Sequence, residues 1–195
     1  DQLPRFRDLL GDGAPWGLRI EYAEQPSPDG LPQAFLIGEE FIAGDRSALI
    51  LGDNIFYGHG LPDLLRASIG AGRDATVFAQ YVRDPQRFGV VTIERDGTVT
   101  GLEEKPANPK SNLAVTGLYI YGPDVCDMAR TLRPSARGET EITDLNRLYL
   151  DQGRLTVELL GRGMTWLDAG TPESLATAGQ FVQTVETLQN VRIAC

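Results

Sequence analysis

The chain is short of the residues that disulfide, metal-knuckle and triad chemistries require. Its two cysteines, Cys126 and Cys195, stand far apart and supply neither a disulfide framework nor metal-ligand spacing, so the cytoplasm is the simplest compartment. The single histidine, His59, lies between two glycines; no serine or cysteine offers it a nucleophile setting, which removes the basis for a catalytic triad and leaves it a loop residue. No apolar run approaches the roughly 20 residues of a membrane span, and the first residues lack a basic-then-apolar signal pattern. A soluble protein with no membrane partner is expected. Positive charge is scarce as well: 18 Lys and Arg against 27 Asp and Glu give a net charge of −9. That balance argues against a nucleic-acid partner, whose backbone is bound by clustered cations releasing counterions. An anionic small molecule stays open, because a divalent metal and one or two placed cations can offset its charge locally. None of the 22 glycines falls in a G-x-G-x-x-G or phosphate-cradling loop.

What is present is an α/β pattern. At 195 residues with 42% apolar side chains, residues 1–195 can bury a full core as one domain. Short apolar runs at 18–23, 48–51, 75–82, 115–121 and 155–160 read as strands. Periodic segments at 32–42, 61–69, 124–132, 142–151 and 173–188 read as helices. This order predicts a Rossmann-like sheet, mainly of parallel strands, flanked by crossover helices. Residues 89–94 and 98–103 break the alternation: they read as a hairpin about Arg95-Asp96-Gly97, which makes the sheet mixed. Residues 6–10 read as the end of a helix where such a fold would open on a strand, so the chain is expected to begin partway through its fold.

Several segments carry groups that suit phosphate and sugar chemistry. Leu49-Ile50-Leu51-Gly52-Asp53-Asn54 reads as a buried strand ending in Gly-Asp. Ligands of open α/β sheets bind beyond strand carboxyl ends, which places Gly52 and Asp53 at the crevice; the plainer alternative is a turn cap. Asp168 has a similar setting in Met164-Thr165-Trp166-Leu167-Asp168-Ala169-Gly170-Thr171-Pro172. There Thr171 is the better N-cap, with Pro172 at N1. Two strand-end carboxylates suit Mg²⁺, a hard ion that takes its remaining ligands from water and substrate phosphates. Glu104 and Lys105 are adjacent at the end of the expected hairpin, one able to accept sugar hydroxyls and the other to meet a phosphate, unless they are only an exposed charge cluster. Arg137 is a second cation that can reach a phosphate. The proline-punctuated stretch Gln25-Pro26-Ser27-Pro28-Asp29-Gly30-Leu31 is either a simple loop or a base-binding one, with the Gln25 amide able to donate and accept at once and Gly30 letting backbone approach closely.

Seven segments taken in order, Gln25-Pro-Ser-Pro-Asp-Gly-Leu, Leu51-Gly-Asp-Asn-Ile-Phe-Tyr-Gly-His, Phe88-Gly-Val-Val, Leu102-Glu-Glu-Lys-Pro, Ala114-Val-Thr-Gly-Leu-Tyr, Ser135-Ala-Arg-Gly-Glu and Trp166-Leu-Asp-Ala-Gly-Thr, resemble the glucose-1-phosphate thymidylyltransferases over essentially the whole chain. The resemblance implies a sugar-nucleotidyltransferase domain that joins dTTP and glucose 1-phosphate into dTDP-glucose and pyrophosphate. It implies nucleotide binding by Gln25, Gly30, Leu31 and Gly52, and Mg²⁺ held by Asp53 and Asp168. It further implies a sugar-phosphate site of Gly89, Glu104, Lys105, Val115 and Arg137, with Asp53, Lys105 and Asp168 carrying catalysis, and a homo-oligomer, a tetramer by family. Phe88 stands where many members carry tyrosine and Ala169 where many carry threonine. The family's opening Gly-Gly-x-Gly-Thr-Arg-Leu loop, which grips the triphosphate, and its C-terminal helices have no counterpart in the chain, which is therefore expected to be a piece of a longer enzyme. Two alternatives remain at this level: another nucleotide specificity on the same fold, and a domain that binds a sugar nucleotide without turnover.

Overall fold

The computed structural model of the chain describes residues 2–193; Cys195, read above as an isolated terminal cysteine, lies outside them. The helix α1 (Leu3–Leu10) comes first, followed by α2 (Gln33–Ile37) and α3 (Glu39–Ile42). The single helix expected over 32–42 is thus two, because Gly38 interrupts it and the chain leaves α3 through Ala43 in the left-handed region at φ 52°. Residues 18–23, expected as a strand, form no ladder among the described residues. Their backbone is used locally instead: Leu18 N–H donates to the Gly13 carbonyl and Ile20 N–H to the Asp12 carbonyl, which closes a turn around Pro15.

Strands β1 (Ser47–Ile50), β3 (Ala75–Tyr81), β4 (Gly89–Ile93), β5 (Val99–Glu104), β6 (Leu113–Tyr121) and β7 (Leu155–Leu159) build the main sheet; β2 (Asn54–Gly58) and β8 (Met164–Asp168) form a separate antiparallel ribbon. The sheet is mixed, as expected, but its pairing is not mainly parallel: four of its five strand pairs are antiparallel. Strands β1, β3, β4 and β7 share one direction, yet only β3 and β7 pair in parallel, because the opposed β6 lies between β3 on one side and β1 and β4 on the other. The expected hairpin is β4–β5, closed by Gly97 at φ 89° and by Thr98 N–H donating to Asp96 Oδ1. β1 is half-exposed rather than buried, with Ile50 61% accessible, since it pairs on one edge only, with β6.

Strand β6 organises the core. All nine of its residues are buried, and the two-residue period of a strand sends them alternately to opposite faces. Leu113, Val115, Tyr119 and Tyr121 join Phe35, Leu145 and Tyr149 on one face, beneath α2, α5 (Val125–Thr131) and α6 (Ile142–Asp151). Ala114, Leu118 and Ile120 join Phe78, Leu160 and Trp166 on the other, beneath α4 (Leu61–Gly70) and the β2–β8 ribbon. In α6 the buried positions Ile142, Leu145, Asn146 and Tyr149 keep the spacing of one helical face. The last helix, α7 (Pro172–Gln189), is capped by Thr171 and Ser174 in a reciprocal capping box with Pro172 in its first turn, and Phe181 meets the Tyr57 ring of the ribbon edge-on at 5.7 Å.

Two irregularities shape the cleft. The β3–β6 ladder slips between Val77 and Ala79, and Thr116 Oγ1 donates to the carbonyl of Phe78 at the slip, 3.0 Å away; bulges of this kind commonly re-aim side chains beside functional sites. The ribbon pairs Asn54 with Asp168, so Asp53 and Asp168 emerge at the same end.

Candidate active site

A cleft of about 200 Å³ lies where the carboxyl end of β1, the ribbon and β4–β6 meet, and Leu31, Asp53, Glu104, Lys105, Thr143 and Asp168 are among its walls. Asp53 and Asp168 converge there. A Cβ built on Gly170 would stand 2.9 Å from Asp53 Oδ2 and 3.0 Å from Asp168 Oδ1, so glycine keeps open one small space between two carboxylate oxygens. Local bonds hold this end: Asn54 Nδ2 donates to Asp53 Oδ1 at 2.7 Å, Ala169 N–H to the Asp53 main-chain carbonyl at 2.8 Å, and Gly170 N–H to Asp168 Oδ1, the oxygen that faces the gap, at 3.0 Å. Among the described residues no group of three or more histidine, cysteine or acidic side chains is placed to hold a metal. Two hard oxygen donors flanking a gap fit a Mg²⁺ that keeps waters and phosphate oxygens, and do not suit a closed protein cage.

Asn54 is the junction of this end. Its Oδ1 accepts from Gly117 N–H of β6 at 2.9 Å and from Trp166 Nε1 of β8 at 2.6 Å, so one amide ties the sheet, the ribbon and the Asp53 carboxylate. A Cβ on Gly117 would fall 2.3 Å from that oxygen, which is why the strand carries glycine there. Trp166 in turn meets Phe88 edge-on at 5.0 Å, so the Phe88 ring forms a wall without a hydroxyl.

The opposite end is built on the last residues of β5. Lys105 holds φ 40° and donates its N–H to the Phe88 carbonyl; a non-glycine residue kept in that region is a strain that clusters at functional sites. Glu104 Oε2 accepts from Thr143 Oγ1 at 2.5 Å, while Oε1 lies 4.0 Å from Lys105 Nζ and 3.5 Å from Arg137 Nη2. Gly89 abuts this pair, since a Cβ there would meet Thr143 Oγ1 at 2.8 Å and Glu104 Oε2 at 3.5 Å. Tyr119, also lining the cleft, is held neutral because burial, with the Glu104 charge nearby, pushes its hydroxyl far up.

Of the residues singled out from sequence, Leu31, Asp53, Gly89, Glu104, Lys105, Val115 and Asp168 line the cleft. Gly52 is exposed at its margin, next to Asp53. Gln25 lies outside the walls, its Nε2 donating to the Gly30 carbonyl and to Gln33 Oε1. Gly30 has φ 115°, and a Cβ would sit 2.0 Å from the Thr140 carbonyl; glycine here serves a loop-on-loop contact. Arg137 borders a neighbouring cleft with Glu103, Pro106 and Asp144 and touches the main one across Glu104. His59 is exposed. Sequence reasoning did not single out Asn54, Thr143, Arg87 or Gly170 as site residues. Arg87 lines the cleft as a further cation, and only its place beside Phe88 in the chain hinted at that. Asn54 stood inside a noted segment that could equally be read as a turn cap.

An α/β sheet with paired carboxylates at strand ends and a lysine across the cleft has the charges that suit phosphate groups and a hard cation. The chain belongs to the nucleotidyl transferase family, whose model matches residues 1–185. Among curated relatives it is 54% identical over 190 residues to a glucose-1-phosphate thymidylyltransferase of Xanthomonas campestris, 97% of this chain and 64% of that protein. It is 55% identical to one of Neisseria meningitidis over 97% of this chain and 66% of the relative, and 52% identical to one of Mycobacterium tuberculosis over 98% and 66%. The chain thus spans about two thirds of their length. A crystal structure from Bacillus anthracis described as a glucose-1-phosphate thymidylyltransferase with sucrose superposes with a TM-score of 0.82 at 40% identity, covering 92% of this chain and 71% of that one. A UDP-glucose pyrophosphorylase with UDP-glucose superposes at 0.79 and 24% identity, over 93% and 73%, a likeness of fold alone.

Proposed function

We propose that this cleft is the sugar-phosphate and metal end of a glucose-1-phosphate thymidylyltransferase site. The observation that carries the reading is the convergence of Asp53 and Asp168 on the gap at Gly170, facing Glu104 and Lys105 across the same cleft. In this reading a phosphate oxygen of glucose 1-phosphate attacks the α-phosphorus of dTTP, the new P–O bond forms as the bond to the β-phosphate oxygen breaks, and pyrophosphate leaves. Lys105, Arg87 and Arg137 offset phosphate charge, while Glu104, held by Thr143, accepts sugar hydroxyls beside Gly89 and Val115. Asp53 and Asp168 would hold Mg²⁺, which when bound neutralises charge at the α-phosphate. Leu31, with Gln25 and Gly52, supplies the nucleotide side, and Gly30 lets the loop from Gln25 to Leu31 dock against Thr140. The protein positions and neutralises rather than forming a covalent intermediate, as is usual for this class of transfer. A homo-oligomer and a cytoplasmic location belong to the same proposal.

The test is pyrophosphate release with glucose 1-phosphate, Mg²⁺ and each of dTTP, UTP, CTP and ATP in turn, for this chain and for the complete coding product. Turnover of dTTP by the complete protein, lost on Asp53→Asn or Asp168→Asn, supports the reading. Preference for another nucleotide would replace the thymidylyl assignment. No turnover with any of them, together with dTDP-glucose binding, would make the domain a binder.

A further inference from the structure

We infer that Glu141 is a positioning residue for the phosphate end of the cleft, acting through Arg137; the inference rests on the function proposed above and deepens it. Glu141 occupies the N-cap position of α6 but makes no side-chain cap bond. Its carboxylate turns into the protein, 7% accessible, and is spent on the preceding loop. Oε1 accepts from Ser135 Oγ at 2.7 Å and from Arg137 Nε at 3.1 Å, and Oε2 accepts from Arg137 Nη2 at 2.9 Å. This two-pronged grip uses one edge of the guanidinium and orients the plane of the whole group. The held edge also brings Nη2 to 3.5 Å from Glu104 Oε1, the carboxylate whose other oxygen Thr143 fixes. Arg137 Nη1 makes no hydrogen bond or ion pair among the described residues. It is the donor left for an incoming phosphate.

A buried carboxylate is an expensive way to hold a loop, since its desolvation must be met by full pairing. Burial pushes the Glu141 carboxyl up, and hydrogen bonds from Arg137 and Ser135 with the attraction of Arg137 and Lys105 outweigh it, leaving the group below its ordinary range. The same anion therefore faces both cations, Arg137 directly and Lys105 through space. Without it, Arg137 is a long exposed side chain with many rotamers, and ordering it on ligand binding would oppose association.

The inference is tested on this chain with glucose 1-phosphate as the probe, by calorimetric titration of the wild type, Glu141→Gln, Arg137→Gln and the double variant. The expected result is an affinity loss of about 10-fold for Glu141→Gln, close to that of Arg137→Gln, with the double variant no weaker than Arg137→Gln alone, as for two groups acting in one unit. Ser135→Ala removes two hydrogen bonds, the one Ser135 Oγ donates to Glu141 Oε1 and the one it accepts from Arg137 N–H, and no charge; it is expected to weaken binding about threefold and serves if Glu141→Gln does not fold. A folded Glu141→Gln, or failing it Ser135→Ala, that binds like the wild type overturns the inference, because a purely structural role would lower the melting temperature and leave affinity alone. Should neither this chain nor the complete coding product bind glucose 1-phosphate, the proposed function fails. The clamp is then judged by the ¹⁵N–¹H signal of Arg137 Nε–H: resolved in the wild type and lost in Glu141→Gln or Ser135→Ala if Glu141 holds it, unchanged in the variant if it does not.

Discussion

Gly170 has the most to lose from one carbon. Its missing Cβ is what separates Asp53 Oδ2 from Asp168 Oδ1, and Gly170→Ala would fill that gap without touching the core. Mg²⁺ affinity, followed by competition with Mn²⁺ in electron paramagnetic resonance, is expected to fall about 10-fold or more with little change in melting temperature. An alanine variant that binds Mn²⁺ like the wild type would show that the two carboxylates do not share an ion. Glu141 makes a pH prediction. Its folded carboxyl titrates below the unfolded value of about 4.3, so its contribution to stability is present above that pH and is lost as pH falls through the folded value. The melting-temperature gap between wild type and Glu141→Gln should therefore be widest near neutral pH and begin to narrow as pH falls below the unfolded value of about 4.3. A gap that stays constant through acid unfolding would contradict the pairing with Arg137.

At the scale of elements, two loops far apart in sequence are fastened together. Thr140 donates both its N–H, at 2.8 Å, and its hydroxyl, at 2.7 Å, to the Asp29 carbonyl, and Gly30 lies against the Thr140 carbonyl. The proline-rich loop is thereby docked on the loop that carries Arg137. Gly30→Ala combines a strained φ with a backbone collision and is expected to cost roughly 2 kcal/mol or more in urea unfolding. Gly11→Ala, at φ 55° with nothing within 4 Å, isolates strain alone and should cost about 1 kcal/mol. Similar losses for the two would remove the case for a docked loop. This clasp also marks the limit of what a linear reading reaches. The β4–β5 hairpin was legible because Asp96-Gly97 is a local signal, and α6 because its buried stripe repeats at helical spacing. Asp53 and Asp168 were legible as strand-end carboxylates, but their convergence depends on the Asn54–Asp168 register of the ribbon, which no spacing encodes. Gly30 was read as making room for a ligand, whereas its neighbour is a residue 110 positions later in the chain. The strand expected at 18–23 failed for the reason that period-2 patterns often do: a strand exists only where a neighbour offers its edge.

For the whole molecule the question is what surface the fold leaves open. One edge of β1 is taken by β6 and the other carries no strand among the described residues, with Ile50 61% accessible on it. Beside that edge runs an apolar hollow of about 430 Å³ walled by Phe35, Phe41, Ile42 and Leu49, and Trp16, Leu18 and Phe41 are each more than half exposed. An unprotected strand beside apolar surface is a template for pairing with another copy. The net charge of −9 opposes close approach only over a Debye length of about 8 Å at physiological salt, too short a range to shield strands already in contact. This chain by itself is therefore expected to self-associate as its concentration rises through tens of micromolar, and more readily in 0.5 M than in 0.05 M NaCl. Ile50→Lys, which puts a charge on the open edge without disturbing the β1–β6 ladder, should shift sedimentation profiles back toward the monomer. Persistence of the oligomer in that variant would move the contact away from β1, to the exposed side chains of α1 or α7. A monomer at all concentrations in the wild type would mean that the edge is covered by something other than a second copy.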